Sequence, residues 1–298
     1  MLKGVIDIGS NTLRLSIFKC HTDGGFTPLV SKKIVAGLAG YKEDKALTAK
    51  GERKLSKCLQ EFLYITNALE VSEVHAFATA SLRNTNNAAE IISRVFDSTG
   101  LKIQVFSGEE EARLSFLGAY YSTHMETGLV VDIGGASSEL IRVVDGIPRA
   151  LCSIPVGCLS LSLRTCNDVF FGCEMVEEMR ETINRELTAA ADMLKEPASS
   201  ICFVGGTARA AYRVAAEMNP RDNRSIAPSE ISHIIACLQL QNSEIIEAIR
   251  FAAPERIFTL FAGTLIMQSI IKQSEATTLL VSRCGIREGY LIDNISKR

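Results

Sequence analysis

The 298 residues carry no basic excess: 32 Lys and Arg stand against 34 Asp and Glu, a net charge of −2. Proteins that grip nucleic-acid polymers usually show a positive surplus, so that class of partner is not expected. Long apolar runs are missing too. The longest uncharged stretch, residues 257–271, contains Thr259, Thr264, Gln268 and Ser269, and is too short and too polar for a membrane span. The opening "MLKGVIDIGS" meets Asp7 before the apolar region of a secretion leader could form. No C-x-x-C pair occurs among the 9 cysteines. Cys152, Cys158, Cys166 and Cys173 cluster without a histidine among them, which leaves a structural zinc and buried free thiols both open. A reduced, cytoplasmic protein is the expectation. Hydrophobic residues at 47% supply a large core, and the length suits two domains of about 150 residues.

The periodicity then alternates between strand and helix along the whole chain. Strands are expected at 5–8, 13–19, 26–35, 74–79 and 103–106, with helices at 50–69, 87–98 and 109–121. The second half repeats the plan, with strands at 129–133, 138–144, 149–154, 201–204 and 279–281. Helices are expected there at 174–194, 208–218, 228–240 and 254–271. This is an α/β pattern. The polar stretch 120–128, "YYSTHMETG", marks a boundary that yields domains 1–122 and 123–298.

An offset of 125 residues lays "IDIGSNTLRL" on "VDIGGASSEL" without a gap. Asp7, Ile8, Gly9 and Leu15 fall on Asp132, Ile133, Gly134 and Leu140. Both segments read as a strand, an acid, a turn of small residues and a second strand. Two domains on one plan follow, each with a hairpin whose turn faces the other. Small residues let backbone N–H groups approach a phosphate closely. Gly9, Ser10, Asn11 and Thr12 suit one such turn, and Gly134, Gly135, Ser137 and Ser138 suit the other. An acid beside a phosphate repels it unless a divalent cation lies between them. A tight hairpin with a capping Asp is the purely structural alternative for either copy. A third glycine turn, Gly205-Gly206-Thr207, joins an expected strand to a helix, a place that favours phosphates or nucleotides.

Six stretches together resemble the exopolyphosphatase / guanosine pentaphosphate phosphatase family. They are "IDIGSNTLRLSIF" (6–18), "ATASLRNTNN" (78–87), "FSGEEEARLSFLGAY" (106–120), "VVDIGGASSELI" (130–141), "VGGTARA" (204–210) and "VSRCGIREGYL" (281–291). The resemblance spans the chain in the family's order and looks like its short, two-domain form. It implies a two-domain actin-like, sugar-kinase-like ATPase fold: duplicated ribonuclease-H-like domains with a cleft between them. It implies Mg²⁺-dependent attack of water on the terminal phosphate of polyphosphate, or of guanosine pentaphosphate (pppGpp).

The same resemblance places Glu111 as catalytic base, Asp132 and Glu139 around the metal and the water, and Arg83 of the T-x-x-L-R motif on phosphate. Gly134, Gly135 and Ser137 match phosphate-binding positions, and Asp7, Ser10 and Asn11 sit in the first phosphate loop. Arg14 occupies a variable position that can carry an arginine facing the cleft. Gly205 and Gly206 complete the expected substrate contacts. Polyphosphate or pppGpp is then the partner, with no nucleic-acid polymer and no membrane, and with room for a homodimer.

Each residue also has a plainer reading. Ser107 and Glu110 have the spacing of a capping box, and acids in a first helical turn favour the helix dipole, which would account for Glu109 and Glu110 and extends to Glu111. Arg83 alone reads as a surface arginine. The chain departs from the family at Ala136, where a third glycine is usual and a methyl restricts positive φ, and at Ser160, where arginine is usual. A small-molecule kinase, marked by transfer to an acceptor, and a nucleotide-binding module without turnover are the competing classes.

Overall fold

The computed structural model describes residues 1–165 and 172–295. It divides into two compact units, Met1–Glu111 with Tyr290–Arg298, and Ala112–Gly289.

The first unit opens with β1 (Leu2–Ile8), β2 (Thr12–Cys20) and β3 (Phe26–Val35), an antiparallel meander. A two-stranded ribbon, β4 (Lys42–Glu43) and β5 (Ala46–Leu47), leads to helix α1 (Ala49–Ala68). Then come β6 (Glu73–Ala78), α2 (Ala80–Arg83), α3 (Ala88–Thr99) and β7 (Ile103–Val105). The sheet runs β3-β2-β1-β6-β7, with β6 parallel to both β1 and β7. Thr48 caps α1 by accepting from the Gly51 N–H, so its amphipathic pattern starts where a capping residue stands. Leu55, Leu59 and Phe62 of α1 pack with Ile6, Ile8, Leu13, Leu15 and Ile17 of the sheet.

Helix α4 (Gly108–Thr123) follows, then the second unit repeats the order. It contains β8 (Gly128–Ile133), β9 (Ser138–Val144), β10 (Ile147–Ile154), α5 (Cys158–Thr165), α6 (Cys173–Leu187), α7 (Ala191–Leu194) and β11 (Ser200–Val204). After these come α8 (Gly205–Met218), α9 (Pro228–Gln239), α10 (Ser243–Ala252), α11 (Leu260–Ser274), β12 (Thr278–Val281) and α12 (Ile286–Ile295). The sheet runs β10-β9-β8-β11-β12, the same topology as the first. Helix α11 is buried along nearly its whole length, which its sequence, uncharged up to Lys272, permits. The two units are thus one α/β plan used twice, the duplicated ribonuclease-H-like arrangement of actin-like proteins.

The packing division falls at Glu111–Ala112. The reason is the apolar face of α4: Ala112, Phe116 and Ala119 are buried with Val130, Ile141 and Val204 of the second sheet. The C-terminal segment returns to the first unit, where the Tyr290 ring lies 5.4 Å from Phe77 and 5.9 Å from Phe106.

Other elements differ from the sequence pattern for local reasons. The helix expected over 174–194 is broken at Thr188, whose hydroxyl bonds the Arg185 carbonyl and tightens the chain into a 3₁₀ turn. The helix expected from 254 starts at Leu260, because Pro254–Arg256 forms a separate 3₁₀ turn first. Helix α10 was not expected, although Asn242 caps it through the N–H groups of Glu244 and Ile245. Cys152 and Cys158 are free thiols, and Cys166 lies outside the described residues. Among the described residues no helix is long and apolar enough to cross a membrane.

Candidate active site

The candidate residues divide between the units. In the first, β1 and β2 pair so that Asp7 stands directly opposite Arg14. The turn between them is closed by the Gly9 N–H donating to the Thr12 carbonyl at 3.1 Å. Ser10 is buried, and its carbonyl accepts from the Ala39 N–H at 2.9 Å, while the Asn11 carbonyl accepts from Ala36 and Gly37. The first loop is therefore braced from behind by its own backbone. Ser81, which the sequence did not single out, also braces it: its buried hydroxyl donates to the Ile8 carbonyl.

Arg83 and Glu111 meet in this unit. Arg83 ends the short helix α2, and Glu111 sits in the first turn of α4. Arg83 Nη1 donates to Glu111 Oε2 at 2.7 Å and to the Phe106 carbonyl at 3.2 Å. Glu111 is buried at 8% exposure, so it is not one of the solvated acids that merely favour a helix dipole. Glu110 does play that structural part. Its Oε2 accepts from the Ser107 N–H at 2.9 Å, and its own N–H donates to Ser107 Oγ at 3.1 Å, a reciprocal capping box.

In the second unit the repeat is reproduced in register. Asp132 stands opposite Glu139 across β8 and β9, at the place where Asp7 faces Arg14, and the Gly134 N–H donates to the Ser137 carbonyl at 3.0 Å. Directly opposite residues of an antiparallel pair share a face, so the first unit sets an acid beside an arginine and the second sets two acids together. Glu139 is fully buried and accepts from Ser153 Oγ at 2.8 Å. Asp132 Oδ2 accepts from Ser115 Oγ at 2.6 Å. Burial pushes the Asp132 carboxyl above the usual carboxylate range, against the Ser115 hydrogen bond and the attraction of Arg209 and Arg287.

Two carboxylates on one sheet face are a donor set that fits a hard divalent cation. Mg²⁺ commonly takes one or two carboxylates and fills its remaining positions with water and substrate phosphate. Among the described residues no group of three or more His, Cys, Asp and Glu side chains is placed to hold a metal.

The second loop is clamped by the start of α5. The N–H of Cys158 donates to the Gly134 carbonyl at 3.0 Å, and those of Leu159 and Ser160 donate to Gly135 at 2.9 and 2.8 Å. Gly157 makes this approach feasible, since a Cβ there would fall 2.5 Å from the Gly135 carbonyl carbon. Ser160 has a structural role: its Oγ accepts from the Gly157 N–H at 3.0 Å. Ala136 does not adopt positive φ, so its methyl brings none of the backbone strain that the missing glycine suggests. Ser137 is buried in the same turn.

The third glycine turn comes to the same acid. Gly205 has φ +92°, and a Cβ on it would lie 2.6 Å from Asp132 Oδ1. Gly206 is covered by Arg256, whose Nη2 would be 2.0 Å from an added Cβ. Arg256 was not among the residues expected from sequence. The second unit therefore gathers Asp132, Glu139, Gly134, Gly135, Ser137, Gly205 and Gly206 around the C-terminal ends of β8 and β11, the usual place for ligands in α/β sheets.

Known proteins resemble this chain over nearly its whole length. A family model described as the Ppx/GppA phosphatase family matches residues 17–298. Exopolyphosphatase 1 of Mycobacterium tuberculosis is 27% identical over 301 residues, covering 98% of this chain and 88% of its own. Exopolyphosphatase 1 of Mycobacterium leprae is also 27% identical, covering 98% of this chain and 89% of its own. Among solved structures, the Aquifex aeolicus member of the Ppx/GppA protein family aligns with a TM-score of 0.82 at 26% identity, over 100% of this chain and 98% of its own. An exopolyphosphatase from Cytophaga hutchinsonii aligns with a TM-score of 0.89 at 20% identity, covering 100% of this chain and 98% of its own, and bears on the fold alone.

Proposed function

Because this chain belongs to the Ppx/GppA phosphatase family, we propose that it is an exopolyphosphatase, a hydrolase that releases terminal orthophosphate from inorganic polyphosphate. The observation that carries the reading is the ion pair of Arg83 and Glu111, which ties two of the matching motifs together through one hydrogen bond.

Hydrolysis requires a water oxygen to bond to the terminal phosphorus while the bridging P–O bond breaks and a water proton leaves. Glu111 orients that water and accepts its proton. Arg83 fixes the carboxylate that does so. The transition state of phosphoryl transfer is loose, so positioning and charge neutralisation matter more than early proton removal. The shortened chain leaves with its oxygen as an anion. Small residues at 9–12 and 134–137 let the backbone approach phosphate oxygens. Asp132 and Glu139 would hold Mg²⁺, which when bound neutralises phosphate charge and polarises a phosphoryl oxygen.

Guanosine pentaphosphate presents the same terminal anhydride bond and is the alternative substrate. A net charge of −2 supplies no overall basic excess for a long polymer, which leaves short substrates as plausible as long ones. The test is phosphate release by the purified protein with Mg²⁺ from short polyphosphate, long polyphosphate, pppGpp and ATP, side by side. Cleavage of polyphosphate with ATP spared is the expected result. Cleavage of pppGpp alone would make the protein a pppGpp 5′-phosphohydrolase, and no release from any of the four would overturn the hydrolase reading.

A further inference from the structure

Three serine and threonine side chains follow the first turn of α4, and they divide by what they bond. Ser122 and Thr123 donate to the Ala119 carbonyl at 3.2 and 2.8 Å, the usual resort of a hydroxyl inside a helix. Ser115 reaches outside its own helix: its Oγ donates to Asp132 Oδ2 at 2.6 Å. A hydroxyl has one hydrogen, so that bond uses it. The length is that of a hydroxyl on an ionised carboxylate. Ser115 is fully buried, on a stretch of α4 whose neighbours Ala112, Phe116 and Ala119 pack against the second sheet. A hydroxyl in such packing is unfavourable without its bond, and an apolar side chain would fill the same place without that requirement.

Asp132 has other directions in which to turn. Arg209 and Arg287 both attract its carboxylate. Ser115 takes Oδ2, and Oδ1 is left on the side of the Gly205 turn, where a Cβ on Gly205 would fall 2.6 Å from it. Asp132 faces Glu139 across β8 and β9, and Glu139 is held in the same manner, by Ser153 Oγ on Oε1 at 2.8 Å. Each acid of the pair thus has one oxygen fixed by a serine. Side chains that ligate a metal ion are held by such partners, because a carboxylate that rotates must be ordered when the ion binds.

We propose that Ser115 is a positioning residue for the divalent cation: it sets the direction of the Asp132 carboxylate, so that Asp132 and Glu139 meet the ion already oriented. This rests on the reading of those two acids as the residues that would hold Mg²⁺, and deepens it. The competing account gives Ser115 a part in stability alone, as the donor that satisfies a buried acid.

Metal affinity of the full-length protein, measured without substrate, separates the two accounts. Mn²⁺ is the probe, since it shares the oxygen-ligand preference of Mg²⁺ and its free ion is counted by EPR. Asp132→Asn defines which bound Mn²⁺ belongs to this site. Ser115→Ala should weaken that binding about tenfold. Alanine suits a helix interior, so this variant is expected to fold. Ser115→Thr and Ser115→Val have nearly the same volume and differ in the hydroxyl, so Ser115→Thr should bind Mn²⁺ more tightly than Ser115→Val, whatever strain the added bulk brings to both. Tm is measured on the same variants with EDTA.

An unchanged Mn²⁺ affinity in Ser115→Ala overturns the proposal, and with a lowered Tm it establishes the stability account. Equal affinities in Ser115→Thr and Ser115→Val also overturn it, because shape rather than the hydrogen bond would then be at work. A wild-type chain without site-specific Mn²⁺ removes the metal reading of Asp132 and Glu139, and this proposal with it. A wild-type chain that binds Mn²⁺ but releases no phosphate sinks the hydrolase reading and leaves this one decided by the same affinities.

Discussion

Arg83 Nη1 donates to Glu111 Oε2 over 2.7 Å, and the same nitrogen holds the Phe106 carbonyl at the end of the loop before α4. The guanidinium therefore fixes both the carboxylate and the backbone that leads into its helix. Replacing Glu111 with Gln keeps the shape and a carbonyl acceptor for Arg83 while removing the capacity to take a proton. Glu111→Gln is expected to lower kcat by about 10²–10⁴-fold, the usual worth of a general base, with tripolyphosphate affinity retained. Steady-state phosphate release and calorimetry check both halves. Near-normal turnover would remove Glu111 as the base.

Arg83→Ala asks a different question of the same pair. It removes the Arg83 hydrogen bond from a buried carboxylate, and a charge-assisted hydrogen bond of this kind is worth about 1.5–3 kcal/mol. A loss of about 10–100-fold in kcat with KM little moved is expected if Arg83 acts by positioning Glu111. A rise in KM would instead mark direct contact with phosphate. Arg83→Lys should recover part of the loss, because both bonds leave a single nitrogen and an ammonium can also donate to two acceptors. Kinetics unchanged in both parameters would return Arg83 to a structural role.

The repeat was the part of the fold most legible in sequence, and the register shows why. Hairpin turns of small residues between apolar strands leave a pattern at fixed spacing, and Asp7 over Asp132 is that pattern. Glu111 could not be separated from Glu109 and Glu110 by spacing alone, since all three are acids in one first turn. Only the burial of Glu111 and its bond to Arg83 divide them. Ser115 was legible in principle, one helical turn past Glu111, but a serine within a helix has too many uses to stand out. Arg256 and Gly157 were not legible, because what they do depends on close approach to Gly206 and Gly135, residues distant in sequence. Ala136 misled in the other direction: the family's glycine suggests positive φ, and the backbone here does not use it.

Away from the candidate site, Arg221 and Glu230 give a pH signature. Arg221 donates to both Glu230 oxygens, and Glu230 Oε2 also accepts from the Ala227 N–H at the start of α9. The Arg221 hydrogen bond holds the Glu230 carboxyl below the usual carboxylate range. A carboxyl lowered on folding contributes stability above its unfolded pKa and loses it as pH falls through the folded one. Glu230→Gln should therefore lower stability at pH 7 by about 1 kcal/mol, a figure reduced because the pair is partly open to solvent. Thermal melts across pH should show the two proteins converge in the acid range. A gap that persists there would mean the loss lies in the capping of α9, not in the charge.

Glycines let α4 approach the start of α12 closely. A Cβ on Gly118 would fall 2.2 Å from the Gly285 carbonyl oxygen, and a Cβ on Gly289 would fall 1.8 Å from that of Leu114. Both obstacles are backbone, which cannot swing aside as a side chain would. Gly118→Ala must push the start of α12 outward, and overpacking of this kind costs about 1–3 kcal/mol or more. Alanine otherwise favours a helix interior over glycine by about 1 kcal/mol, so the sign of the effect is itself informative. Gly40→Ala is the control, because a Cβ there has nothing within 4 Å and its φ is not positive. Urea unfolding of both variants is expected to show Gly118→Ala clearly destabilised and Gly40→Ala near wild type. A stabilised Gly118→Ala would mean that helix propensity outweighs the contact, and that α12 can retreat at little cost.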